Sequence, residues 1–412
     1  MNPPLTFAHP DDATLGMGVH CQELIATGCV HSALPDGHRA LAALRTCREA
    51  GALTVDAGDF FSGSAFHAYS GGRVEEQLVA ELYDAVVPGN HDFGDLMRLR
   101  HPKAFPPIVC ANVSPPPTFA GRWTTSLVLQ GRSLRVGIVG YLSEQAHEAI
   151  PRAERAGFTY VPPTAALIAA EAASLQAQGA EVVVGVSHAG FLDAVADQEA
   201  DWPLTTVIAS HCHSPWTHWT QGERHVVKPA AHGVGLLRLG LGADGLVSVC
   251  HDSHAKGVPE RPLPGLGPEL AAYEVWGART LGRLPAALSQ REDVARLLAA
   301  RALQETDADA FILNTYTLRS GLPSAVTRAA LWACAPFDCA LVLLDGAHSV
   351  SELAARAREL GEDVTVAAVP GGNGSGQVAT TTYVAERLGL SARVPARPCT
   401  LHGCLTACLE TS

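Results

Sequence analysis

The segment YDAVVPGNHDFGD, residues 83–95, is the most informative stretch of this chain about its fold. A short apolar run ends in Gly-Asn-His, which is typical of a buried strand that runs into a polar loop. The upstream segment GALTVDAGD, residues 51–59, has the same form and ends in Asp59. Ligands of α/β sheets gather at the carboxyl ends of the strands. Asp59, Asn90 and His91 are therefore candidate site residues.

Three later apolar runs repeat this pattern: LRVGIVGYL (134–142), EVVVGVSHAG (181–190) and TTVIASHCHS (205–214). The last two supply His188, His211 and His213. Segments with helical periodicity lie among these runs: GHRALAALRTCREAG (37–51), RVEEQLVAELY (73–83) and PTAALIAAEAASLQAQGA (163–180). The repeated strand, loop and helix predict an α/β fold.

The chain has 412 residues, which favours two domains. The segment HAKGVPERPLPGLG, rich in proline and glycine, interrupts the pattern and indicates a linker. We predict a first domain over residues 1–254, a linker and connecting helix over 255–280, and a second domain over 281–412. In the second domain, REDVARLLAARALQET predicts a helix, and ADAFILN and CALVLLDG predict strands.

Composition and charge narrow the classes of function. The net charge is −12, so nucleic acid is not expected as a partner, because phosphate backbones require a basic surface. No apolar run is long enough to span a membrane, and the first residues lack the features of a secretory signal. Eleven cysteines without a CxxC pair indicate reduced thiols. We expect a cytoplasmic protein; no feature of the sequence defines its oligomeric state.

The candidate residues have the chemistry of a metal centre. Histidine nitrogens, carboxylates and amide oxygens are suitable ligands for borderline divalent ions. One carboxylate, such as Asp59, can bridge two ions about 4 Å apart. A pair of ions would acidify a bound water and neutralise charge on a phosphoryl group.

The combination of motifs resembles a known family. The segments DAGDFFSGSAFHAYSGG (56–72) and YDAVVPGNHDFG (83–94) resemble motifs of the 5'-nucleotidases in the calcineurin-like metallophosphoesterase superfamily. Residues 308–346, with Asn314, Arg319 and Phe337, resemble the family's C-terminal domain. The resemblance implies a four-layer metallophosphoesterase β-sandwich flanked by helices, with a second, smaller α/β substrate-binding domain.

The resemblance also implies two divalent ions, which could be Zn, Mn, Co or Fe. The first ion would be held by position 29, His31, Asp59 and His213. The second ion would be held by Asp59, Asn90, His188 and His211. His91 would stabilise the transition state or the leaving group. In the family an acid orients this histidine, but the matching position here is Gly94, with Asp95 next to it.

Substrate contacts are implied in the second domain. Arg319, and with it Arg291, would hold the substrate phosphate through a bidentate guanidinium. Phe337 would stack on a base, Tyr383 would supply the opposite face, and Asn314 belongs to the same set of family landmarks. Two alternatives stay open from the residues alone: Arg291 as a solvated charge at a helix start, and Phe337 as a core residue.

The first metal ligand is the open question of the sequence. The segment ATGCVHS, residues 26–32, offers His31 but has Cys29 where the family has a carboxylate. The segment FAHPDDATLG offers Asp11 and Asp12, but has Thr14 in place of the paired histidine. We favour the first segment, because the match continues downstream of it. Cys29 is then either a thiolate ligand or a small buried residue beside a weakened site.

The predicted activity is hydrolysis of a phosphomonoester on a nucleotide or nucleotide-like substrate, with a metal-bound hydroxide attacking phosphorus in line. Two alternatives remain. One is a nucleotide-sugar or cyclic-nucleotide phosphodiesterase that uses the same site. The other is a degenerate, non-catalytic nucleotide-binding protein, which the departures at Cys29 and Gly94 suggest.

Overall fold

The structure is a computed structural model that describes residues 21–252, 263–346, 348–369 and 376–410. The chain forms two compact units, one with residues up to Ser62 together with Ser70–Leu270, the other with Gly63–Tyr69 and Ala271 onward. The division after Leu270 falls within the predicted connection over 255–280. The first part of that connection, and the competing residues Asp11 and Asp12, lie outside the described residues.

The first unit is built on strands and flanking helices. Its strands are β1 (Gln22–Thr27), β2 (Leu53–Asp56), β3 (Ala85–Val86), β4 (Ile108–Val109), β5 (Val113–Ser114), β6 (Trp123–Thr124), β7 (Ser126–Gln130), β8 (Arg135–Leu142), β9 (Thr159–Tyr160), β10 (Val182–His188), β11 (Thr206–Ala209), β12 (Thr217–Gln221), β13 (Arg224–Lys228), β14 (Leu236–Gly242) and β15 (Gly245–Asp252). Its helices are α1 (Leu34–Glu49), α3 (Arg73–Leu82), α4 (Phe93–Leu96), α5 (Glu144–Ala149), α6 (Ala165–Ala177) and α7 (Phe191–Glu199). Helices α2 (Ala65–Ser70) and α8 (Leu266–Gly277) cross the divisions between the units.

Two sheets form the body of the first unit. Among the described residues, one sheet has the order β15-β14-β1-β2-β3-β4-β6 and the other β12-β13-β11-β10-β8-β7. Side chains of β1 and β2 share a buried apolar cluster with those of β8, β10 and β11, so the sheets pack face to face. Helices α6 and α7 cover the outer face of the second sheet through residues such as Leu175 and Phe191. This is the predicted β-sandwich flanked by helices.

The strand and helix predictions that position the site are confirmed. The run that ends in Asp59 contains β2, and the runs that end in histidine contain β10 and β11. β1, β2, β3 and β4 are mutually parallel, as are β8, β10, β11 and β13. Because parallel strands in one sheet end at the same edge, their following loops converge.

The second unit is a smaller α/β body. Its strands are β16 (Thr280–Arg283), β17 (Ala310–Asn314), β18 (Ala325–Thr327), β19 (Leu341–Leu344), β20 (Val364–Ala368), β21 (Val378–Thr381) and β22 (Ala392–Arg393). Its helices are α9 (Arg291–Thr306), α10 (Arg328–Cys334), α11 (Val350–Glu359), α12 (Thr382–Leu388) and α13 (Leu401–Ala407). A mixed sheet of order β20-β17-β21-β19-β22 carries buried side chains on both faces, one under α9 and α13 and the other under α11 and α12. The predicted helix over 291–306 and the strands over 308–314 and 339–346 are confirmed.

Candidate metal centre

Asp59 lies at the middle of the candidate site. It follows β2 with a φ of 61°, a left-handed conformation that aspartate tolerates better than most residues. One carboxylate oxygen accepts a hydrogen bond from the backbone N–H of His91 at 2.8 Å. The other lies 3.2 Å from His188 Nε2 and 3.6 Å from His31 Nε2. Burial opposes ionisation, but the surrounding His188, His91 and His31 rings hold the pKa of Asp59 well below its usual range.

Asp59 and its neighbours form groups of side chains with metal-binding chemistry. Each group has ligand atoms within 4.8 Å of one another: Cys29, His31 and His213; His31, Asp59 and His91; Asp59, His188 and His211. His31 and Asp59 each belong to two groups. The structure therefore brings together, in one unit, the residues that the sequence assigned to the two ions.

The predicted second-ion ligands surround the amide of Asn90. Asn90 Oδ1 lies 2.9 Å from His211 Nδ1 and 3.3 Å from His188 Nε2. His188 is fully buried, and its Nδ1 lies 2.8 Å from the carbonyl oxygen of Ala57. A carbonyl at Nδ1 sets the tautomer that leaves Nε2 as the electron-pair donor. The three side chains and Asp59 thus present an oxygen and nitrogen donor set suited to a borderline divalent ion.

The predicted first-ion ligands surround Cys29. His31 Nε2 lies 2.8 Å from His213 Nε2, and His31 Nδ1 lies 2.8 Å from the carbonyl oxygen of Ser62. Burial lowers the pKa of His31 well below its usual value, so the ring is neutral, which is the form that binds metals. Cys29 Sγ completes this group. The family's carboxylate position therefore still points a donor atom into the site.

Polar groups surround the thiol of Cys29. Its Sγ accepts a hydrogen bond from the backbone N–H of His211 at 3.2 Å and lies 3.1 Å from Ser210 Oγ. Lys228 is nearly fully buried and donates to the carbonyl oxygens of Ser214 and Pro229, each at 2.8 Å. Burial raises the pKa of the Cys29 thiol, whereas Ser210, Lys228 and His211 act in the opposite direction. The sequence motifs did not indicate a role for either residue: Ser210 only precedes His211 in its run, and Lys228 belongs to none of the quoted runs.

Asp92 is a further residue that sequence reasoning missed. It is fully buried, and its carboxylate accepts backbone hydrogen bonds from Asp59 at 2.7 Å, Gly89 at 2.8 Å and Phe61 at 3.2 Å. It joins the loop after β2 to the loop after β3. Burial and the nearby Asp59 raise the pKa of Asp92 to about 7. The only signal in the sequence was its place directly after the Gly-Asn-His tripeptide.

Unusual backbone conformations concentrate at this site. Of the eight non-glycine residues with positive φ in the described ranges, six surround the metal centre: Cys29, His31, Ser32, Asp59, His211 and His232. Such conformations cost free energy and cluster at functional sites. Gly58, with φ of 95°, also has no room for a side chain, because a Cβ there would lie 2.6 Å from His188 Nδ1.

His232 is an imidazole of the site that the sequence motifs did not indicate. Its ring centroid lies 4.9 Å from that of His213 and 5.7 Å from that of His31. Its backbone N–H donates to the carbonyl oxygen of Cys29 at 2.8 Å. The loop after β13 therefore contributes to the histidine cluster, although no motif in the sequence marks it.

His91 stands beside the metal-binding side chains, with its ring centroid 5.2 Å from that of His31. Position 94, where the family has an orienting acid, is glycine. A Cβ built at Gly94 would lie 2.8 Å from Glu154 Cδ and 2.9 Å from Glu154 Oε2. The carboxylate of Glu154 therefore occupies the space that a side chain at position 94 would need. Asp95, the other candidate, is buried in α4.

Gly94→Asp is expected to destabilise the protein by about 1 kcal/mol or less, because the new carboxylate would displace the flexible end of the Glu154 side chain and bring two like charges together. Gly94→Asp combined with Glu154→Ala should recover most of this loss, since the second change empties the space. Urea unfolding of the wild type, the two single variants and the double variant measures the coupling free energy between positions 94 and 154. A double variant that is no more stable than Gly94→Asp would contradict the overlap.

Two of the predicted substrate residues have structural partners within the second unit. Glu362 is buried and accepts hydrogen bonds from the Asn314 amide, from Tyr383 Oη at 3.0 Å and from Arg387 Nε at 2.9 Å. Asn314 Oδ1 also accepts from the Tyr316 N–H at 2.9 Å. The polar atoms of Asn314 and Tyr383 are thus engaged in holding β17 and α12 together.

The remaining substrate candidates differ in exposure. Arg291 pairs with Glu292 at 3.0 Å and lies 5.4 Å from the Tyr316 ring centroid, as expected for a charge at the start of α9. Arg319 is exposed, and its backbone N–H donates to the carbonyl oxygen of Cys334 at 2.7 Å. Phe337 is half-buried.

Comparison with known proteins gives a structural match without a sequence match. No family model matches the chain, and no curated protein matches it in sequence. The 5'-nucleotidase precursor from Thermus thermophilus is 17% identical over 94% of this chain and 96% of that chain, with a TM-score of 0.73. The 5'-nucleotidase from Candida albicans is 13% identical over 98% of this chain and 100% of that chain, with a TM-score of 0.69.

A third solved structure has the same architecture and a different named activity. The sulfate thiohydrolase SoxB from Thermus thermophilus is 16% identical over 91% of this chain and 82% of that chain, with a TM-score of 0.66. At these identities the matches establish the fold. The chain therefore has the fold of the solved 5'-nucleotidases from Thermus thermophilus and Candida albicans.

Proposed function

We propose that this protein is a metal-dependent phosphoesterase that hydrolyses a phosphomonoester of a nucleotide or nucleotide-like substrate. The observation that carries the proposal is the position of Asp59 between two sets of donors, with His31 on one side and His188 on the other. A shared carboxylate of this kind is the feature that a two-ion hydrolase requires.

The donor set fits divalent metal ions. We assign Cys29, His31, Asp59 and His213 to one ion, and Asp59, Asn90, His188 and His211 to the other. The fit rests on donor chemistry. The Cys29 thiol lies within 4.8 Å of two imidazoles in one group, the Asp59 carboxylate lies within 4.8 Å of two imidazoles in each of the other groups, and the Asn90 amide oxygen lies beside His211. When bound, two such ions acidify water and neutralise charge on a phosphoryl group. A thiol donor favours zinc, cobalt or iron over manganese at the first position.

The protein's own groups position and polarise the reacting atoms. Asp92 holds the loops of Asp59 and Asn90 together through three backbone hydrogen bonds. His91, whose backbone N–H donates to the Asp59 carboxylate, is proposed to protonate or stabilise the leaving oxygen through its ring. On the substrate side we propose Arg319 for the phosphate and Phe337 for the base, since both side chains are at least partly accessible.

The alternative functions differ in the products that the protein would release from a nucleotide substrate. A phosphodiesterase on the same site would release nucleoside monophosphate from a nucleotide sugar or a cyclic nucleotide. The likeness to SoxB shows that this fold also occurs in a protein named a sulfate thiohydrolase. A non-catalytic nucleotide-binding protein would bind nucleotides without turnover. The convergence of six donor side chains around Asp59 favours an enzyme over this last alternative.

The test is phosphate release from a panel of nucleoside monophosphates, sugar phosphates, nucleotide sugars and cyclic nucleotides, each with Mn²⁺, Co²⁺, Zn²⁺ or Mg²⁺. We expect turnover of at least one nucleoside monophosphate, loss of turnover with a chelator, and recovery when excess metal is restored. Nucleotide binding without turnover under every metal would contradict the proposal. Release of a nucleoside monophosphate from a nucleotide sugar or a cyclic nucleotide, detected by chromatography of the products, would identify the protein as a phosphodiesterase instead.

We propose a cytoplasmic location for this activity. All eleven cysteines are free thiols, including the buried Cys29 and Cys110. Disulfides are rare in compartments where thiols are kept reduced. None of the helices in the described ranges is both long and apolar enough to cross a bilayer. Fractionation of the native host with antibody detection tests the location.

A further inference from the structure

A second cluster of donor atoms lies on the hairpin formed by β12 and β13. β12 is the edge strand of its sheet, and Thr220 on β12 pairs directly with His225 on β13. His218 precedes Thr220 by two residues, so both side chains point to the same face as His225. None of these residues belongs to the metal centre around Asp59.

The donor atoms of the three side chains converge. His218 Nε2 lies 3.3 Å from His225 Nδ1. Thr220 Oγ1 lies 3.0 Å from His218 Nε2 and 3.2 Å from His225 Nδ1. In a tetrahedral zinc site with Zn–N distances of about 2.05 Å, neighbouring donors are about 3.3 Å apart. The three donors therefore have nearly the spacing of one face of a tetrahedron.

The two imidazoles are also in the protonation state that binds metals. Both rings are half-buried. Burial, followed by the proximity of His225, lowers the pKa of His218 to about 4, and burial lowers the pKa of His225. Their planes are inclined by 31° with centroids 5.5 Å apart, so the nitrogens approach without stacking of the rings.

We propose that His218, Thr220 and His225 form a peripheral binding site for a borderline divalent cation such as Zn²⁺, Cu²⁺ or Ni²⁺, separate from the catalytic centre. The two imidazoles are the principal ligands, and the threonine hydroxyl is an oxygen donor or holds a bound water. Solvent completes the coordination. A bound ion links β12 to β13 and so stabilises the edge of the sheet.

The experiment is equilibrium dialysis of the full-length protein against Zn²⁺ at neutral pH, followed by elemental analysis. The wild type should hold one more zinc per chain than His225→Ala at a free zinc concentration that saturates both kinds of site. His101→Ala, which removes an exposed histidine of the same unit, should equal the wild type. Phosphate release by His225→Ala should remain within about twofold of the wild type, because the substitution lies outside the catalytic centre.

A second variant and a second readout distinguish loss of the zinc site from misfolding of a single variant. His218→Gln retains a polar side chain of similar length on the edge strand and should also lose one zinc. Hydrogen exchange of the peptides that cover residues 217–228 should slow on addition of Zn²⁺ in the wild type but not in His218→Gln. Equal zinc content in the wild type and both variants, or no change in exchange, would overturn the site. Neither measurement depends on the identity of the phosphoester substrate.

Discussion

Asp59→Asn is expected to lower the rate of phosphate release by more than about 100-fold and to reduce the bound metal. Loss of a residue that only supports a metal ligand costs about 10–100-fold, so loss of a shared ligand should exceed that range. Asparagine keeps the shape of the side chain and can accept the hydrogen bond from the His91 N–H. It removes the negative charge that faces His31 and His188. The effect of Asp59→Asn on turnover therefore reports the loss of the negative charge and of metal ligation, and not a change in side-chain shape.

The measurement combines turnover with metal content by elemental analysis and thermal unfolding. Asp201→Asn is the matched control, because Asp201 has a φ of 59°, close to that of Asp59, but sits on the surface with Arg224. Asparagine tolerates the left-handed conformation at both positions. An Asp59→Asn variant with wild-type metal content and turnover would show that Asp59 is not a metal ligand. The two-ion proposal would then be wrong.

Cys29→Ala is expected to lose one of the two ions and at least about tenfold in activity, because it deletes the only sulfur donor of the first group. Cys29→Asp should keep two ions and shift the preferred metal from zinc or cobalt toward manganese, since a carboxylate is a harder ligand. The surroundings can accept an anion there, because Ser210 and the His211 N–H already contact the thiol.

Cobalt titration distinguishes the two interpretations of Cys29 independently of turnover. A thiolate ligand gives a sulfur-to-cobalt charge-transfer band in the near ultraviolet, which should vanish in Cys29→Ala and Cys29→Asp. Cys110→Ala is the control, because Cys110 is equally buried but belongs to a packing cluster. If the wild type shows no such band and Cys29→Ala binds two ions, then Cys29 is a packing residue and the first ion lacks its fourth ligand.

Much of the site was predictable from local sequence. Each predicted ligand of the second ion lies at or just after the end of a strand whose apolar run is visible in the chain. Asp59 and Asn90 follow parallel strands of one sheet, and His188 and His211 lie at the ends of parallel strands of the other. The strand pattern marked these four residues as candidates, and the family resemblance joined them into one predicted ligand set. The same reasoning found His31, although Cys29 two residues before it broke the expected pattern.

Other residues could not be found this way, because their roles depend on contacts between distant segments. Ser210 meets the Cys29 thiol across 181 positions in the chain, and the carboxylate of Glu154 fills the space beside Gly94. Glu362 engages Asn314 and Tyr383, which the family resemblance alone had presented as substrate residues. Such pairings have no periodicity and no fixed spacing, so no pattern in the chain indicates them.

Local sequence was enough to predict the α/β architecture, the order of strands and helices around the site, and the candidate ligands at strand ends. These features depend on hydrophobic periodicity and on the geometry of parallel sheets. Three features required the folded chain: the Cys29 sulfur beside His31 and His213, the joining of two loops by Asp92, and the histidine pair on the β12–β13 hairpin. They depend on the burial and packing of residues that are far apart in the chain. The free energy of such a contact depends on its surroundings in the folded protein, and no local sequence pattern indicates those surroundings.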